Sequence, residues 1–183
     1  MRRPGTLRVT GGAFGGRRLG VPGGLGVRPT ADRVREALFS ILGSRVRGTR
    51  VLDLFAGSGA LGLEALSRGA EHATFVDSDP RSVLVVRENL EALGVPGEVR
   101  RAEALAYLRR AVLAPPFDLV LLDPPYRLAP SLGADLSRLL PPVLAAGALV
   151  VSESDRRSPL TLTLPLDDER RYGDTLVRVH GPR

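Results

Sequence analysis

The chain contains no cysteine, no lysine and no glutamine, and its 183 residues include only two histidines. Without cysteine there can be no disulfide, no thiolate nucleophile and no cysteine-ligated metal. His72 and His180 are too few for a multi-histidine metal centre, and we expect both at the surface. No apolar run reaches the roughly 18–20 residues of a membrane helix, and the chain does not begin with an apolar signal segment. We therefore expect a soluble, cytoplasmic protein without a metal site.

The basic residues are all arginine, and their excess lies at one end of the chain. Residues 1–50 hold 11 arginines against Asp32 and Glu36, a balance of +9, whereas residues 51–183 hold 15 arginines against 18 acids, a balance of −3. A basic segment on a mildly acidic body is typical of a protein that binds a polyanion such as nucleic acid. The alternative, a merely solubilising surface, does not require this asymmetry. The predicted phosphate contacts are Arg2, Arg3, Arg8, Arg17, Arg18 and Arg28.

The order of the predicted elements indicates one α/β domain with an N-terminal extension. Two short strands around a glycine-rich turn are expected within 7–21, followed by a helix over about 31–43 with Thr30 as its N-cap. From residue 50, strands alternate with helices, and the strands are apolar on both faces, which favours a parallel sheet covered by helices. The predicted strands are 50–54, 73–77, 98–101, 118–122, 148–152 and two within 159–180, and the predicted helices are 60–69, 80–93, 103–112 and 131–141. We thus predict a doubly wound, Rossmann-like domain (residues 30–183) after a basic hairpin (residues 1–29).

A glycine-rich loop follows the first strand of this predicted sheet. Gly57, Gly59 and Gly62 match the G-x-G-x-x-G spacing of a dinucleotide site. Glycines allow close approach of a ligand to the backbone, and the helix that follows offers free N–H groups. The glycines alone therefore leave NAD and other nucleotide-like cofactors open.

Acidic residues at three successive strand ends favour S-adenosylmethionine. Asp53 precedes the glycines, where it would repel a pyrophosphate but attract the cationic amino-acid end of this cofactor. Asp77 ends the second strand, 18 residues after Gly59, in position for ribose hydroxyls. Glu103 follows the third strand, in position for the adenine amino group. The predicted cofactor contacts in this region are Asp53, Phe55, Ala56, Gly57, Ser58, Gly59, Asp77, Ser78, Glu103 and Ala104.

The fourth strand end carries Asp123-Pro124-Pro125-Tyr126, which we predict to be catalytic. An exocyclic amino group on a base is a weak nucleophile because its lone pair is delocalised into the ring. The Asp123 carboxylate and the Pro124 carbonyl would accept its two N–H bonds and direct the lone pair at a methyl group. The prolines would hold that carbonyl without reorganisation, and Tyr126 offers a ring on which an unstacked base can lie. We also expect Asp123 to contact the cofactor.

Asp-Pro-Pro-Tyr resembles the signature of S-adenosylmethionine-dependent methyltransferases that act on amino groups of bases. Taken with RPTADRVREALF at 28–39 and LDLFAGSGALGLEALSRGA at 52–70, the sequence resembles the RsmD family over nearly its whole length, from RVTGG at 8–12 to YGD at 172–174. It departs from many relatives at Glu103, where they carry aspartate. The resemblance implies a class I methyltransferase fold and methylation of N2 of guanine 966 in 16S ribosomal RNA, within the small subunit or its assembly intermediate.

The resemblance further implies that the segment around Thr30 closes over the methionine end of the cofactor, with simple helix capping as the alternative. We expect a direct in-line methyl transfer, without a covalent intermediate, by a monomeric protein. Three other functions stay open: an adenine-N6 DNA methyltransferase, a nicotinamide oxidoreductase, and a ribosome-assembly factor that binds RNA without chemistry. The chain has no room for a separate DNA-recognition domain, and the acids at the strand ends argue against the other two.

Overall fold

The computed structural model describes residues 7–23 and 29–181, apart from the side chains of 29–31. Within these ranges the chain forms a small hairpin and a seven-stranded sheet with five α-helices. The strands are β1 (Leu7–Arg8), β2 (Arg18–Leu19), β3 (Arg50–Leu54), β4 (His72–Asp77), β5 (Glu98–Arg101), β6 (Phe117–Leu122), β7 (Leu144–Asp155), β8 (Leu166–Tyr172) and β9 (Thr175–His180). The helices are α1 (Pro29–Leu42), α2 (Ala60–Ser67), α3 (Pro80–Leu93), α4 (Ala104–Ala111) and α5 (Ala129–Leu139).

The large sheet has the strand order β5-β4-β3-β6-β7-β9-β8. Strands β3 to β7 are parallel, whereas β9 runs antiparallel to both β7 and β8. This confirms the doubly wound, mostly parallel sheet. β7 is longer than the predicted 148–152. It begins at Leu144, which pairs with Phe117 of β6, and its last three residues continue past the end of β6 and pair with β9 as far as Asp155.

The two faces of the sheet bury separate apolar cores. α1, α2 and α3 cover one face, where Val51 contributes to the core, and α4 and α5 cover the other, where the neighbouring Leu52 does so. Successive side chains of a strand point to opposite faces. The central strands are therefore mostly apolar on both faces, which is the pattern from which the sequence predicted them.

Two predictions about single residues are wrong. α1 begins at Pro29, so Thr30 lies in its first turn and is not the N-cap; the fixed φ of proline suits the first helical position. His180 is buried, with 3% of its surface exposed, because both faces of β9 are covered. Burial lowers the pKa of His180, and its Nδ1 lies 3.2 Å from the Leu164 carbonyl oxygen. His72 is half-buried, with Nε2 lying 3.7 Å from a Glu98 oxygen.

Candidate cofactor and catalytic site

The sheet has its topological switch point between β3 and β6. From β3 the chain proceeds outward through β4 and β5, and then crosses to β6 and β7 on the other side. The loops after β3 and β6 diverge at such a point and leave a crevice, which is where open α/β sheets bind ligands. Leu54 pairs with Leu122, so the glycine loop and the loop 123–126 leave the sheet side by side. The fold therefore brings together the two segments that the sequence selected.

The glycine loop turns sharply where it leaves β3. The Phe55 and Ala56 amides both donate to the Val76 carbonyl at 3.0 Å, and the Gly59 amide donates to the Ala56 carbonyl at 2.7 Å. Phe55 has a φ of +71°. A non-glycine residue in this region costs about 1–3 kcal/mol and is typical of functional loops.

The last glycine of the motif serves helix packing. A Cβ at Gly62 would lie 2.3 Å from Cε1 of Phe75, whose ring is fully buried in β4. Only glycine therefore lets α2 approach the sheet this closely, as expected for the third glycine of such a motif.

Asp53 is almost completely buried beneath the glycine loop, with 1% of its surface exposed. Its Oδ2 accepts a hydrogen bond from the Gly62 amide at 2.9 Å. Burial raises the pKa of Asp53 to about 7; the Gly62 amide lowers this pKa, and the nearby charge of Asp77 raises it. The carboxyl group of Asp53 therefore ionises near neutral pH. A cation bound beside it would favour the charged form, which fits the role predicted for this residue.

We expect this carboxyl group to make the stability of the protein depend on pH. Asp53 ionises near 3.8 when unfolded and near 7 when folded, so between these values only the folded chain keeps the proton. The free energy of unfolding should therefore fall as pH rises from about 4 to about 7. Asp53→Asn keeps an oxygen for the Gly62 amide and lacks this titration. We expect the free energy of unfolding of the variant, minus that of the unaltered protein, to increase by on the order of 2–4 kcal/mol between pH 5 and pH 8. Urea unfolding at each pH measures this difference. A difference that stays constant over this range would contradict the assignment.

Asp77 joins the glycine loop to the end of β4. Its Oδ2 accepts from the Gly57 amide at 2.8 Å, and its Oδ1 accepts from the Asp79 amide at 2.9 Å. Each carboxylate oxygen has two acceptor sites, so bonds to ribose hydroxyls are compatible with this geometry. Ser78, directly after it, is exposed.

An exposed acidic residue, Glu103, lies between the end of β5 and the start of α4. Glu103 occupies the N-cap position of α4, but its side chain makes no capping hydrogen bond. Ala104 behind it is buried. The strand ends thus present acceptor groups suited to hydroxyl and amino groups, as S-adenosylmethionine requires.

The loop after β6 alternates between exposed and buried residues. Asp123 and Pro125 are exposed, Pro124 is buried, and Tyr126 is half-buried. The Pro125 carbonyl accepts from the Leu128 amide at 2.8 Å. Within the described part of the chain, no backbone amide donates to the Pro124 carbonyl. A rigid carbonyl beside an exposed carboxylate is the arrangement that the amino-group chemistry predicts.

Asn89, a buried residue of α3, was missed by sequence reasoning. Its Nδ2 donates to the Ser58 carbonyl at 2.9 Å and to the Gly20 carbonyl at 3.1 Å, and its Oδ1 accepts from the Gly20 amide at 2.7 Å. It thus joins the glycine loop to the end of the hairpin. The available signal was that it is the only asparagine in a chain without glutamine.

A buried ionic cluster around Glu64, in α2, was also missed. Glu64 is fully buried and accepts hydrogen bonds from the Thr10 amide, the Thr10 hydroxyl and Arg68 Nε, each at 2.7 Å. Arg35, 4% exposed in α1, places Nε 3.4 Å from Glu64 and donates through Nη2 to the Arg8 carbonyl at 2.5 Å. These bonds fix the hairpin against α1 and α2.

The arginines predicted to bind phosphate are exposed where they are described. Arg8 lies 3.6 Å from Asp32, Arg17 donates to the Ala92 carbonyl at 2.6 Å, and Arg18 is exposed. Arg2, Arg3, Arg28 and the side chain of Thr30 lie outside the described residues.

The described residues contain neither a cluster of metal ligands nor a helix suited to a membrane. No three His, Asp or Glu side chains there are grouped in a way that could hold a metal ion. Over the same residues, no helix combines the length and apolar character needed to cross a bilayer.

Comparisons with known proteins agree with this architecture. Residues 7–180 match the family described as Conserved hypothetical protein 95. The chain is 37% identical, over 164 residues, to Ribosomal RNA small subunit methyltransferase D of Haemophilus influenzae, which covers 85% of this chain and 82% of that protein. A solved Escherichia coli structure, described as the methyltransferase yhhF, superposes on this chain with a TM-score of 0.81 at 36% sequence identity. The match covers 98% of this chain and 99% of the Escherichia coli chain.

A more distant structure shares the fold alone. It is the Thermus thermophilus 16S rRNA N2 methyltransferase RsmC in complex with AdoMet and guanosine, with a TM-score of 0.71 at 24% identity, covering 99% of this chain and 50% of that one. The family match and the closely similar relative lead to one conclusion: the chain belongs to the RsmD family of methyltransferases.

Proposed function

We propose that this chain uses S-adenosylmethionine to methylate the N2 amino group of guanine 966 in 16S ribosomal RNA, within the small subunit or an assembly intermediate. The carrying observation is that Leu54 pairs with Leu122 at the switch point, so that two loops leave the sheet side by side. The glycine loop with Asp53 and Asp77 lies on one side, and exposed Asp123 with Pro124 lies on the other. The relative named a small-subunit rRNA methyltransferase supports the class of substrate.

The cofactor side of the crevice is built to hold a nucleoside with a cationic amino-acid end. Asp77 and exposed Glu103 offer acceptors for the ribose and the adenine, while Asp53 favours a cation. When bound, S-adenosylmethionine supplies an electrophilic methyl group. The glycine loop, held by the Val76 carbonyl and the Asp77 carboxylate, fixes the position of this donor without reorganisation.

The acceptor side prepares the amino group. The Asp123 carboxylate and the Pro124 carbonyl accept its two N–H bonds, which concentrates the lone pair on nitrogen and directs it into the crevice. Tyr126 stacks on the extruded base. As the new N–C bond forms and the S–C bond breaks, the amino group loses one proton, to water or through Asp123. A protein of the same fold is described in complex with AdoMet and guanosine, the two kinds of ligand that this reaction requires.

The test is transfer of radiolabelled methyl from S-adenosylmethionine to small ribosomal subunits that lack the modification. We expect N2-methylguanosine at a single position. Duplex DNA serves as the second substrate, because an adenine-N6 DNA methyltransferase would share the Asp-Pro-Pro-Tyr loop. Labelled N6-methyladenine in DNA, with no label in the ribosomal RNA, would overturn the proposal.

We further propose that the hairpin arginines contact RNA phosphates. Arg17→Ala combined with Arg18→Ala should reduce the slope of log affinity against log salt by about 0.7–0.9 for each phosphate that the variant no longer binds. The matched control is Arg109→Ala with Arg110→Ala, which removes the same charge from the last turn of α4. Equal slopes for the two double variants would mean that the hairpin is not the phosphate-binding segment.

A further inference from the structure

Four arginines surround a groove that the function described so far does not use. The groove has a volume of about 350 Å³, and its lining includes Arg156, Arg157, Glu169, Arg171, Leu176 and Arg178. The charge balance of residues 51–183 is negative, so composition gave no sign of a basic site here. The fold creates the groove by bringing Arg156 and Arg157, in the turn after β7, next to residues of β8 and β9.

The arginines are held in place by two acids. Glu169 binds Arg178 Nε at 2.9 Å and Arg171 Nη2 at 3.2 Å, and chiefly its hydrogen bond with Arg178 lowers the pKa of Glu169. Asp174 lies 3.4 Å from Arg156 and 3.6 Å from Arg157.

Positive charge remains in excess in this cluster, with four guanidinium groups against two carboxylates. A guanidinium group has five N–H donors and can bind a phosphate through two of them while another holds a carboxylate. Arg157 and Arg171 are 73% and 71% exposed, so an incoming anion can reach them.

The register of the sheet places this groove at the edge formed by the carboxyl ends of the parallel strands, where the loop 123–126 also lies. Leu122, the last residue of β6, pairs with Ser152, which in turn pairs with Arg178. β7 and β9 continue beyond this level as far as the pair Asp155 and Thr175, a further 10 Å or so at about 3.3 Å per residue. The ends of β7 and β9 thus extend past the level at which the loop 123–126 begins. The groove residues lie at this level or beyond it.

The groove also faces the same side of the sheet as the start of α5. Val177 and Val179 belong to the core under α1, α2 and α3, so Leu176 and Arg178, which alternate with them, lie on the α4 and α5 side. The loop 123–126 leads into α5. With strands about 4.8 Å apart, β9 and β8 lie roughly 10 and 14 Å from β6. This separation suits neighbouring nucleotides of a strand whose target base enters the crevice.

We propose that the groove binds phosphate groups of the RNA strand that carries the target base, a few nucleotides from that base. This inference rests on the proposed function, since it takes RNA as the substrate. Paired guanidinium groups in a fixed arrangement are suited to phosphate oxygens. Such contacts position the strand without reading its sequence.

The experiment compares the full-length protein with two double variants. Arg156→Ala with Arg157→Ala removes two exposed groove arginines, and Arg109→Ala with Arg110→Ala removes the same charge from the end of α4, at the opposite edge of the sheet. Binding to a 16S RNA fragment is measured from 50 to 200 mM salt, with S-adenosylmethionine binding by calorimetry as a check on the fold. We expect the groove variant to lower the salt slope by about 1.4–1.8, to raise KM for small subunits and to leave cofactor binding unchanged. The control variant should keep the full slope.

The outcomes separate this inference from the proposed function. If the unaltered protein methylates ribosomal RNA but both double variants show the same slope, the groove inference is wrong and the proposed function stands. If the slope falls only in the groove variant although no methyl is transferred, the groove binds RNA and the proposed reaction is wrong. Absence of RNA binding by the unaltered protein would overturn both. Arg171→Ala, in β8, is a second variant with an independent backbone position and should lower the slope by about half as much.

Discussion

Replacing Asp123 with alanine is expected to lower the turnover of methyl transfer by on the order of 10²-fold or more. Asp123 is exposed at the switch point of the sheet and directly precedes Pro124. Loss of one preorganised group that stabilises the developing charge typically has this effect. Single-turnover transfer at saturating RNA and cofactor measures it.

Two comparisons make this result specific. Asp123→Asn keeps one acceptor oxygen and should retain more activity than the alanine variant, because one N–H bond of the amino group is still accepted. Asp135→Ala is the matched control, since it removes an exposed carboxylate from α5 that is paired with Arg138. Near-normal turnover of Asp123→Ala, at the level of the control, would remove Asp123 from the catalytic site.

Replacing Glu64 with alanine is expected to destabilise the protein by about 3–5 kcal/mol. The substitution removes the fully buried carboxylate from Arg35, which is 4% exposed and keeps, among the described residues, only Asp32 as a counter-ion, 2.8 Å from its Nη2. It also removes the acceptor of the Thr10 amide. Deleting one partner of a buried ion pair typically has a cost of this size, and here the Thr10 amide, the Thr10 hydroxyl and Arg68 lose their acceptor as well. Urea unfolding measures the change.

The controls for this prediction are a conservative and a surface substitution. Glu64→Gln keeps an acceptor for Thr10 and should lose less stability than alanine. Glu71→Ala removes an exposed carboxylate just after α2 and should change the free energy of unfolding by no more than about 0.5 kcal/mol. A loss below about 1 kcal/mol in Glu64→Ala would mean that the cluster does not hold the hairpin.

The sheet was predictable from the sequence because its central strands are apolar on both faces. β3 and β5 have the predicted bounds, and so does α3, which has Asp79 as its N-cap and a glycine at its C-cap. The glycine loop and the loop 123–126 were also predictable, since each directly follows an apolar strand. Local pattern therefore sufficed wherever the signal lies within one element and its flanking turn.

The attachment of the hairpin was not predictable, because it depends on contacts between distant positions. Thr10 and Glu64 are 54 residues apart, and Gly20 and Asn89 are 69 apart. A single sequence does not distinguish a buried glutamate such as Glu64 from an exposed one. The raised pKa of Asp53 was likewise hidden, since it results chiefly from burial. The arginine groove required the antiparallel register of β8 and β9.

The outer strands of the sheet have a consequence for association. Among the described residues, β5 and β8 leave one side of their backbone without a neighbouring strand in the sheet, and both are rich in charge: Glu98, Arg100 and Arg101 in β5, and residues 167–171 throughout in β8. β8 also has an irregular register between Leu166 and Asp168. A strand from another molecule that paired here would have to desolvate these charges and follow the irregularity. The apolar inner strands are thus shielded from edge-to-edge aggregation by the two strands that flank them.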